Sequence, residues 1–304
     1  MFQDSVSTNF IPFNELIIPI DKLSNCIFRA DLKNFGAIVE DKKSKIESPV
    51  KMILPKGDDG KPINLTPFEK TILIFLLSAQ AAGNKHISYR KLFNLLGGST
   101  NLSHAKDFKK AIDTALWKLR CTDLTVDLSD IVAARKKYAN KLNVPYNPKD
   151  GNIAKVIWRG VLFPNEVITA TISGGKSESV IRFIDDSIIL RVADFKDQII
   201  RADLNLFDCD IRVTVQTVTL MGYLFERILK IKGSLCKDHV TKLENSISFE
   251  TLIFQCGLTL TKKDQRQTLC RNVKKILNAF QSNNLFKNYD VFKTSDGLSI
   301  KIFF

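Results

Sequence analysis

The order of the expected secondary-structure elements restricts the fold of this chain most strongly, because one order occurs twice. Residues 65–184, here called the first copy, predict a helix, a short helix, a long helix with a basic outer face, and a pair of strands. Residues 217–304, the second copy, predict the same succession. A repeated order within 304 residues favours two medium-sized units, each with its own core.

The first copy begins with residues that favour the start of a helix. Thr66 and Glu69 have the spacing of a reciprocal capping pair, and Pro67 occupies the first helical position, where proline is favoured. Ser88 is expected to cap a short helix that stops at a Gly-Gly pair, and residues 102–121 predict the long helix.

The rest of the first copy alternates between charged and β-branched segments. Residues 122–152 are charged and contain two prolines, so we expect a helical extension over 130–141 followed by a loop. Residues 160–172 and 178–184 are β-branched and joined by Ser-Gly-Gly-Lys, which predicts a hairpin. Residues 188–200 predict one further helix or strand packed on this hairpin.

The second copy carries the same signals. Residues 217–233 predict its first helix, and Ser248 is expected to cap a short helix that a glycine ends. Thr261 is the expected cap of the long helix, with Asp264 at the capping-box position. A Ser-Asp-Gly turn at 295–297 lies between two β-rich runs and predicts a terminal hairpin.

The long helix of the second copy has two contrasting faces. One face is apolar at steps of three and four, so we expect it to pack on the core; its residues are Leu269, Val273, Ile276, Leu277 and Phe280. The opposite face and the first turn carry cations and amides, namely Lys262, Lys263, Arg266, Gln267, Arg271, Lys274, Lys275 and Asn278. Such side chains read base edges and phosphates in a major groove, whereas the alternative is an ordinary solvated helix face.

The long helix of the first copy shows a weaker form of the same pattern. Lys106, Lys109 and Lys110 lie at its start, although Asp107 and Asp113 dilute their charge. Cations at a helix start oppose the helix dipole, and a bound phosphate would remove that conflict. We therefore regard these lysines as candidate DNA contacts.

Two lysines of the terminal hairpin complete the candidate set. Lys287 and Lys293 are expected to contact phosphates from the hairpin. The alternative is that they are edge-strand lysines, which block the addition of a further strand.

Composition agrees with a polyanionic partner. Lys and Arg outnumber Asp and Glu by 45 to 32, which gives a formal charge of +13 and favours nucleic acid or an acidic membrane face. The six cysteines form no C-x-x-C pair, so they predict reduced thiols in the cytoplasm and not a zinc or disulfide framework. The chain shows no signal peptide and no run of about 18 apolar residues, so no membrane partner is expected.

Several segments resemble a known family. The strings ISFETLIFQCGLT, KKDQRQTLCRNVKKILNAF and GLSIKIFF resemble those of theta-type plasmid replication initiators built from two winged-helix domains. VTLMGYLFERIL is similar to the tyrosine-containing helix at their domain entrance, and GVLFPNEVITATISGGKSESVIRFID resembles the wing of their first domain. The resemblance covers roughly residues 60–304.

The resemblance implies a fold and a function. The fold would be α+β and helix-rich, with tandem winged helix-turn-helix domains: an N-terminal extension with a β-hairpin over 1–64, a first domain for dimerisation and DNA contact over 65–204, and a second domain for main DNA recognition over 205–304. It implies a protein that binds repeated sites (iterons) in double-stranded origin DNA, promotes opening, and helps load host replication proteins. Residues 262–275 would form the dominant recognition helix and 106–118 the second one. A homodimer through the first domain and a cytoplasmic location on the nucleoid or plasmid are implied as well.

The sequence gives little support to an enzymatic function. Residues 170–177 loosely match a phosphate-binding loop, but a strand-like segment follows where that loop needs a helix, so we expect a hairpin turn. His86, His104 and His239 are far apart and form no metal pair. We expect no catalysis, no cofactor and no metal.

Two alternatives share the basic surface. A transcriptional repressor that binds an operator needs the same winged-helix architecture, and a basic interaction scaffold would use the cations on an acidic protein or anionic membrane instead. Direct repeats of about 20 base pairs beside the gene, each spanning about two helical turns, would favour the initiator, and a lone inverted repeat the repressor.

Overall fold

A computed structural model describes residues 10–19, 28, 39–40, 50–98, 106–129, 156–171, 177–195, 199–235, 245–295 and 297–304. Within this part of the chain the fold is α+β, with seven α-helices and small antiparallel sheets. The chain divides into two compact units. The first comprises Met1–Leu65, Ile72–Tyr89 and Ile112–Ala202, and the second comprises Thr66–Thr71, Arg90–Ala111 and Asp203–Phe304.

The helices are α1 (Pro67–Ala81), α2 (Tyr89–Leu95), α3 (Lys106–Cys121), α4 (Ile188–Phe195), α5 (Val215–Leu235), α6 (Phe249–Gln255) and α7 (Lys263–Ser282). The strands of the first half are β1 (Glu15–Pro19), β2 (Val39–Glu40), β3 (Val50–Ile53), β4 (His86–Ser88), β5 (Asp123–Asp127) and β6 (Ile157–Val161). Those of the second half are β7 (Asn165–Thr171), β8 (Ser177–Phe183), β9 (Ile199–Asp203), β10 (Ser246–Ser248), β11 (Asn288–Thr294) and β12 (Gly297–Phe303). A short 3₁₀ helix spans Leu204–Phe207.

In the first copy, a three-stranded sheet follows the helices. Its strand order is β4-β8-β7, so the three-residue strand before α2 pairs with the second strand of the hairpin. Ile181 is the central residue, opposite Ile87 on one side and Val167 on the other. A separate sheet has the strand order β2-β3-β5-β6. In the chain, its last two strands lie between α3 and the β7–β8 hairpin.

The second copy has the same element order and the same strand order. Its sheet is β10-β12-β11, with the three-residue strand before α6 again paired with the second hairpin strand. Ile300 is the central residue here, opposite Ile247 and Val291. Since both copies place a buried isoleucine at the middle of the sheet, they share a topology as well as a succession of elements.

The predicted start of the first helix is confirmed. Helix α1 begins at Pro67, and the Thr66 backbone N–H donates to Glu69 Oε2 at 2.7 Å. The Phe68 N–H donates to Thr66 Oγ1 at 3.2 Å. These two bonds satisfy backbone donors that the first turn of a helix otherwise leaves without acceptors.

The predicted apolar face of α7 is also confirmed. Leu269, Val273, Ile276, Leu277 and Phe280 are all buried, none more than 1% exposed. Their spacing places them on one stripe, so the orientation of the helix about its axis is determined by the core.

The predicted cap of α7 is wrong by one residue. The helix begins at Lys263 with Lys262 at the N-cap, not with Thr261. The reciprocal group is Gln265, whose Oε1 accepts from the backbone N–H of Thr261 at 2.9 Å and of Lys262 at 3.1 Å. The longer amide side chain of Gln265 reaches back past the first turn and takes the role expected of Asp264.

Other predicted segments differ in their bounds. The strand expected over 160–172 is divided into β6 and β7, because Leu162 and Phe163 between them turn into the core and are fully buried. The segment 188–200 forms α4 and then enters β9. The helical extension expected over 130–141 and the turn at 173–176 lie outside the described residues.

Within the second unit, α5 makes a close helix crossing with the first turn of α1. A Cβ atom on Gly222 would lie 1.8 Å from Thr71 Oγ1, so glycine at this position permits the approach. Nearby, Lys70 Nζ lies 2.6 Å from Glu226 Oε1, and Lys230 pairs with the same oxygen. Burial alone would raise the pKa of Glu226, but the two ammonium groups lower it to about 2.

Candidate nucleic-acid interface

The outer face of α7 is a continuous exposed surface. Since the apolar stripe faces inward, five polar positions face solvent: Gln267, Arg271, Lys274, Lys275 and Asn278. We call this set the α7 ridge. Lys262 and Arg266 of the first turn are exposed too, whereas the side chain of Lys263 is outside the described set.

The centre of the α7 ridge carries two cations that have no acidic partner in the described part of the chain. Arg271 and Lys274 lie three residues apart on one face, and neither forms an ion pair with any residue that the structure describes. An exposed cation that is not neutralised within the protein keeps its full charge for an external anion. Both belong to the set of side chains that the sequence predicted to read base edges and phosphates.

Two other cations of α7 do have acidic neighbours. Arg266 Nη1 lies 3.2 Å from Glu250 Oε1 on α6. Lys275 Nζ donates to the backbone oxygen of Asp210 at 2.8 Å and lies 3.3 Å from its Oδ2. Sequence reasoning did not find these pairs, because the partners are 16 and 65 residues apart.

The terminal hairpin is fixed against the C-terminal half of α7. The Tyr289 hydroxyl donates to Asn278 Oδ1 at 2.7 Å, and Gln281 Nε2 donates to the Lys287 carbonyl at 2.8 Å. Burial raises the pKa of Tyr289, which keeps the hydroxyl protonated as a donor. Asn278, a residue that the sequence predicted to contact DNA, therefore also holds the hairpin in place.

At the other end of the hairpin, a cavity of about 310 Å³ lies between α6, α7 and the β11–β12 turn. Arg266 and Lys293 both line it, as do Glu250 and Cys270. Gly297 adopts a φ of 121°, which the turn requires and which side-chain-bearing residues rarely adopt. Partial burial raises the pKa of Cys270, although Lys274 and Arg266 act in the opposite direction.

The two hairpin lysines lie at different ends of strand β11. Lys287 precedes the strand, is exposed, and has its backbone N–H bonded to the Phe303 carbonyl at 2.8 Å. Lys293 is exposed near the turn and faces the cavity. Among the described strands β11 pairs with β12 alone and is therefore an edge strand, so the alternative of edge protection by lysine stays open.

The corresponding helix of the first copy has a mixed outer face. Lys110 is exposed and Lys109 half-buried, while the side chain of Lys106 is not among those described. Asp107 and Asp113 are exposed on the same helix, and Asp113 Oδ1 accepts from the Tyr89 hydroxyl at 2.6 Å. Burial and this carboxylate both raise the pKa of Tyr89.

Sites of other chemistry are not prominent in the described part of the chain. The segment that loosely matches a phosphate-binding loop joins β7 to β8, which pair as an antiparallel hairpin, as predicted. No group of three His, Cys, Asp or Glu residues suited to a metal occurs among the described residues. None of the described helices is both long and apolar enough to cross a membrane.

Comparison with known proteins returns nothing above threshold: no protein-family model matches the chain, and no curated protein matches it.

Proposed function

We propose that this protein binds double-stranded DNA in a sequence-specific manner through winged helix-turn-helix units. In the second copy, α6 and α7 are the helix-turn-helix, α7 is the recognition helix and the β11–β12 hairpin is the wing. In the first copy, α2, α3 and the β7–β8 hairpin hold the corresponding places. The observation that carries the proposal is the pair Arg271 and Lys274, two exposed cations of α7 that have no acidic partner among the described residues.

The shape of the second copy supports this assignment. The helix and the hairpin are held side by side by Tyr289 and Gln281, so the α7 ridge and the hairpin lysines have a defined arrangement. An α-helix fits into the major groove of DNA, and a neighbouring β-hairpin can then contact the DNA backbone. The basic excess of the whole chain adds a long-range attraction to a polyanion.

We further propose that the DNA sites are repeats at a replication origin and that the protein acts as a theta-type plasmid replication initiator. This step is supported by the segments of the second copy that resemble those initiators. In that role the protein would help open the origin and recruit host replication proteins, with a homodimer through the first copy as a second state. No catalysis by the protein itself is required.

The experiment is a binding titration with duplex DNA taken from the region flanking the gene. Fluorescence anisotropy would be recorded for that duplex and for a scrambled duplex of equal composition. If about 6 to 10 phosphates are neutralised, affinity should fall by roughly 10³- to 10⁵-fold between about 50 and 200 mM salt. Tighter binding to the flanking duplex than to the scrambled one is the expected result.

Other outcomes have definite meanings. Binding that is independent of salt, or equal for both duplexes, would contradict sequence-specific recognition. Protection of direct repeats in a footprint supports the initiator, whereas protection of a single inverted repeat would replace it with the repressor alternative. Binding to anionic vesicles or acidic protein without binding to duplex DNA would favour the interaction scaffold.

A further inference from the structure

Glu250 is a carboxylate within a surface otherwise dominated by cations. It projects from α6 toward the first turn of α7, where its Oε1 lies 3.2 Å from Arg266 Nη1. It also lies against the hairpin turn, since a Cβ atom on Gly297 would be 4.0 Å from Glu250 Cγ and Oε1. Three elements of the second copy therefore meet at this side chain.

Two cations line the cavity beside this ion pair, although much of the remaining lining is apolar. Arg266 enters it from α7 and Lys293 from β11, so two cations from different elements line one space of about 310 Å³. The lining also includes Thr294 and Ser295 of the turn, and the Thr294 hydroxyl donates to the Gly297 carbonyl at 3.0 Å. Arginine, lysine and hydroxyl groups are the side chains that most often contact DNA phosphates.

The pairing of Arg266 with Glu250 is easily exchanged. Both side chains are more than half exposed, 58% for Arg266 and 51% for Glu250, and exposed ion pairs contribute little to folding. A phosphodiester offers the guanidinium a bidentate partner and releases condensed counterions from the DNA. The exchange therefore favours the phosphate once a duplex is in place.

We propose that Glu250 is a built-in competitor for one DNA backbone phosphate. In the free protein Arg266 is paired with Glu250, and on binding it exchanges the carboxylate for a phosphodiester that occupies the cavity beside Lys293. Arg266 thus positions the helix on the backbone, while Arg271 and Lys274 contact the bases. This inference rests on the proposed function, because it identifies the ligand of one part of that interface.

The first test removes the competitor. Glu250→Gln is expected to tighten binding to the flanking duplex and the scrambled duplex by the same factor, about two- to fivefold for an exposed pair. Asp123→Asn on β5 is the matched control, because it changes the net charge equally at an exposed position of the other unit. Glu250→Ala is a second variant, and circular dichroism establishes that each variant is folded.

The second test asks whether the gain passes through Arg266. In an Arg266→Gln background, Glu250→Gln should add no more than the control does. A scan with single neutral methylphosphonate linkages should then find one linkage whose neutralisation weakens the wild type more than it weakens Arg266→Gln, which keeps Lys293 beside the cavity. That linkage identifies the phosphate in the cavity.

Two results would overturn the inference. A gain from Glu250→Gln that persists without Arg266 would show that Glu250 acts on the DNA directly. If Glu250→Gln instead weakens binding only to duplexes that carry one particular base pair, the carboxylate orients Arg266 toward a base. Failure of the wild type to bind either duplex in a salt-dependent manner contradicts the proposed function instead, and the wild-type titration reveals it before any variant is compared.

Discussion

The long helices of the two copies, α3 and α7, occupy the same place in the same succession of elements but differ in charge. On α7, cations and amides follow one another along the exposed face, and its central pair Arg271 and Lys274 has no acidic partner among the described residues. On α3, exposed lysine alternates with exposed Asp107 and Asp113. One topology thus supports two different surfaces, so the topology alone does not determine which helix would be the main contact in the proposed DNA complex.

The largest expected effect is the loss of stability when a buried phenylalanine of α3 or α7 is removed. It tests whether the buried sides of the two helices stabilise the fold equally. Phe280 of α7 packs against Phe225 with ring centroids 6.0 Å apart, and Phe108 of α3 packs against Phe93 at 5.2 Å. Replacing either Phe280 or Phe108 by Ala should lower the free energy of unfolding by about 3–5 kcal/mol. Urea denaturation measures this. A loss below about 1 kcal/mol for one of them would show that the buried faces of the two helices do not contribute equally to stability.

The next effect concerns the first helices of the copies, where α5 carries the carboxylate of Glu226, which is about 20% exposed. The pKa of Glu226 is lowered to about 2 despite burial, so its ionised form stabilises the fold above the unfolded pKa near 4.5. Glu226→Gln should lower the free energy of unfolding by about 3 kcal/mol at neutral pH, because it removes the carboxylate whose pKa the two lysines lower and with it both ion pairs.

The sign of this effect fixes its pH dependence. The folded-state pKa is depressed, so the advantage of the wild type over Glu226→Gln should shrink as the pH falls from about 4.5 to about 2. Denaturation of both proteins across this range measures the difference. A difference that stays constant with pH would show that the carboxylate is not ionised by its lysine neighbours.

A smaller effect compares the outer faces of α3 and α7 directly. The pair Arg271→Ala and Lys274→Ala should weaken binding to the flanking duplex by about 2–3 kcal/mol, since each contact contributes about 1–3 kcal/mol. The pair Lys109→Ala and Lys110→Ala removes the same formal charge, but acidic neighbours already offset it, so we expect a loss of about 1 kcal/mol. Anisotropy titrations at one salt concentration compare them. Equal losses would remove the distinction between the two helices.

The smallest effect concerns the glycines that end the short helices α2 and α6. Gly97 and Gly257 both have positive φ, 82° and 63°. A Cβ atom on Gly97 would lie 2.8 Å from the Phe207 carbonyl oxygen, whereas one on Gly257 meets nothing within 4 Å. Gly257→Ala should therefore cost about 1 kcal/mol of unfolding free energy, and Gly97→Ala about 2 kcal/mol. Equal costs would show that the backbone around Gly97 yields without strain.

Features that depend on residues close together in the sequence could be predicted from it. The capping pair of Thr66 and Glu69, the buried stripe of α7 and the terminal hairpin follow from spacings of two to four residues, and the structure confirms them. Local patterns of this kind are set by backbone geometry, which is the same wherever the segment lies in the fold.

Features that depend on partners far apart in the sequence could not be predicted from it. Strands β4 and β10 have three residues each and exist because they pair with β8 and β12. The pairs of Arg266 with Glu250 and of Lys275 with Asp210 also depend on tertiary placement. Long-range contacts of this sort leave no periodic signal in the sequence. The sequence therefore predicted Arg266 and Lys275 to be free for an external anion, whereas in the structure each lies beside a carboxylate of the same protein.

The most direct test of the central claim is the ratio of affinities for the flanking and the scrambled duplex, measured for the wild type and two variants. If the α7 ridge reads bases, the combined Arg271→Ala and Lys274→Ala variant should lose most of that ratio, because each bidentate base contact supplies about 1–3 kcal/mol of discrimination. Lys287→Ala should weaken both duplexes equally and leave the ratio unchanged, since a phosphate contact carries no sequence information. Identical losses on both duplexes for both variants would contradict the account.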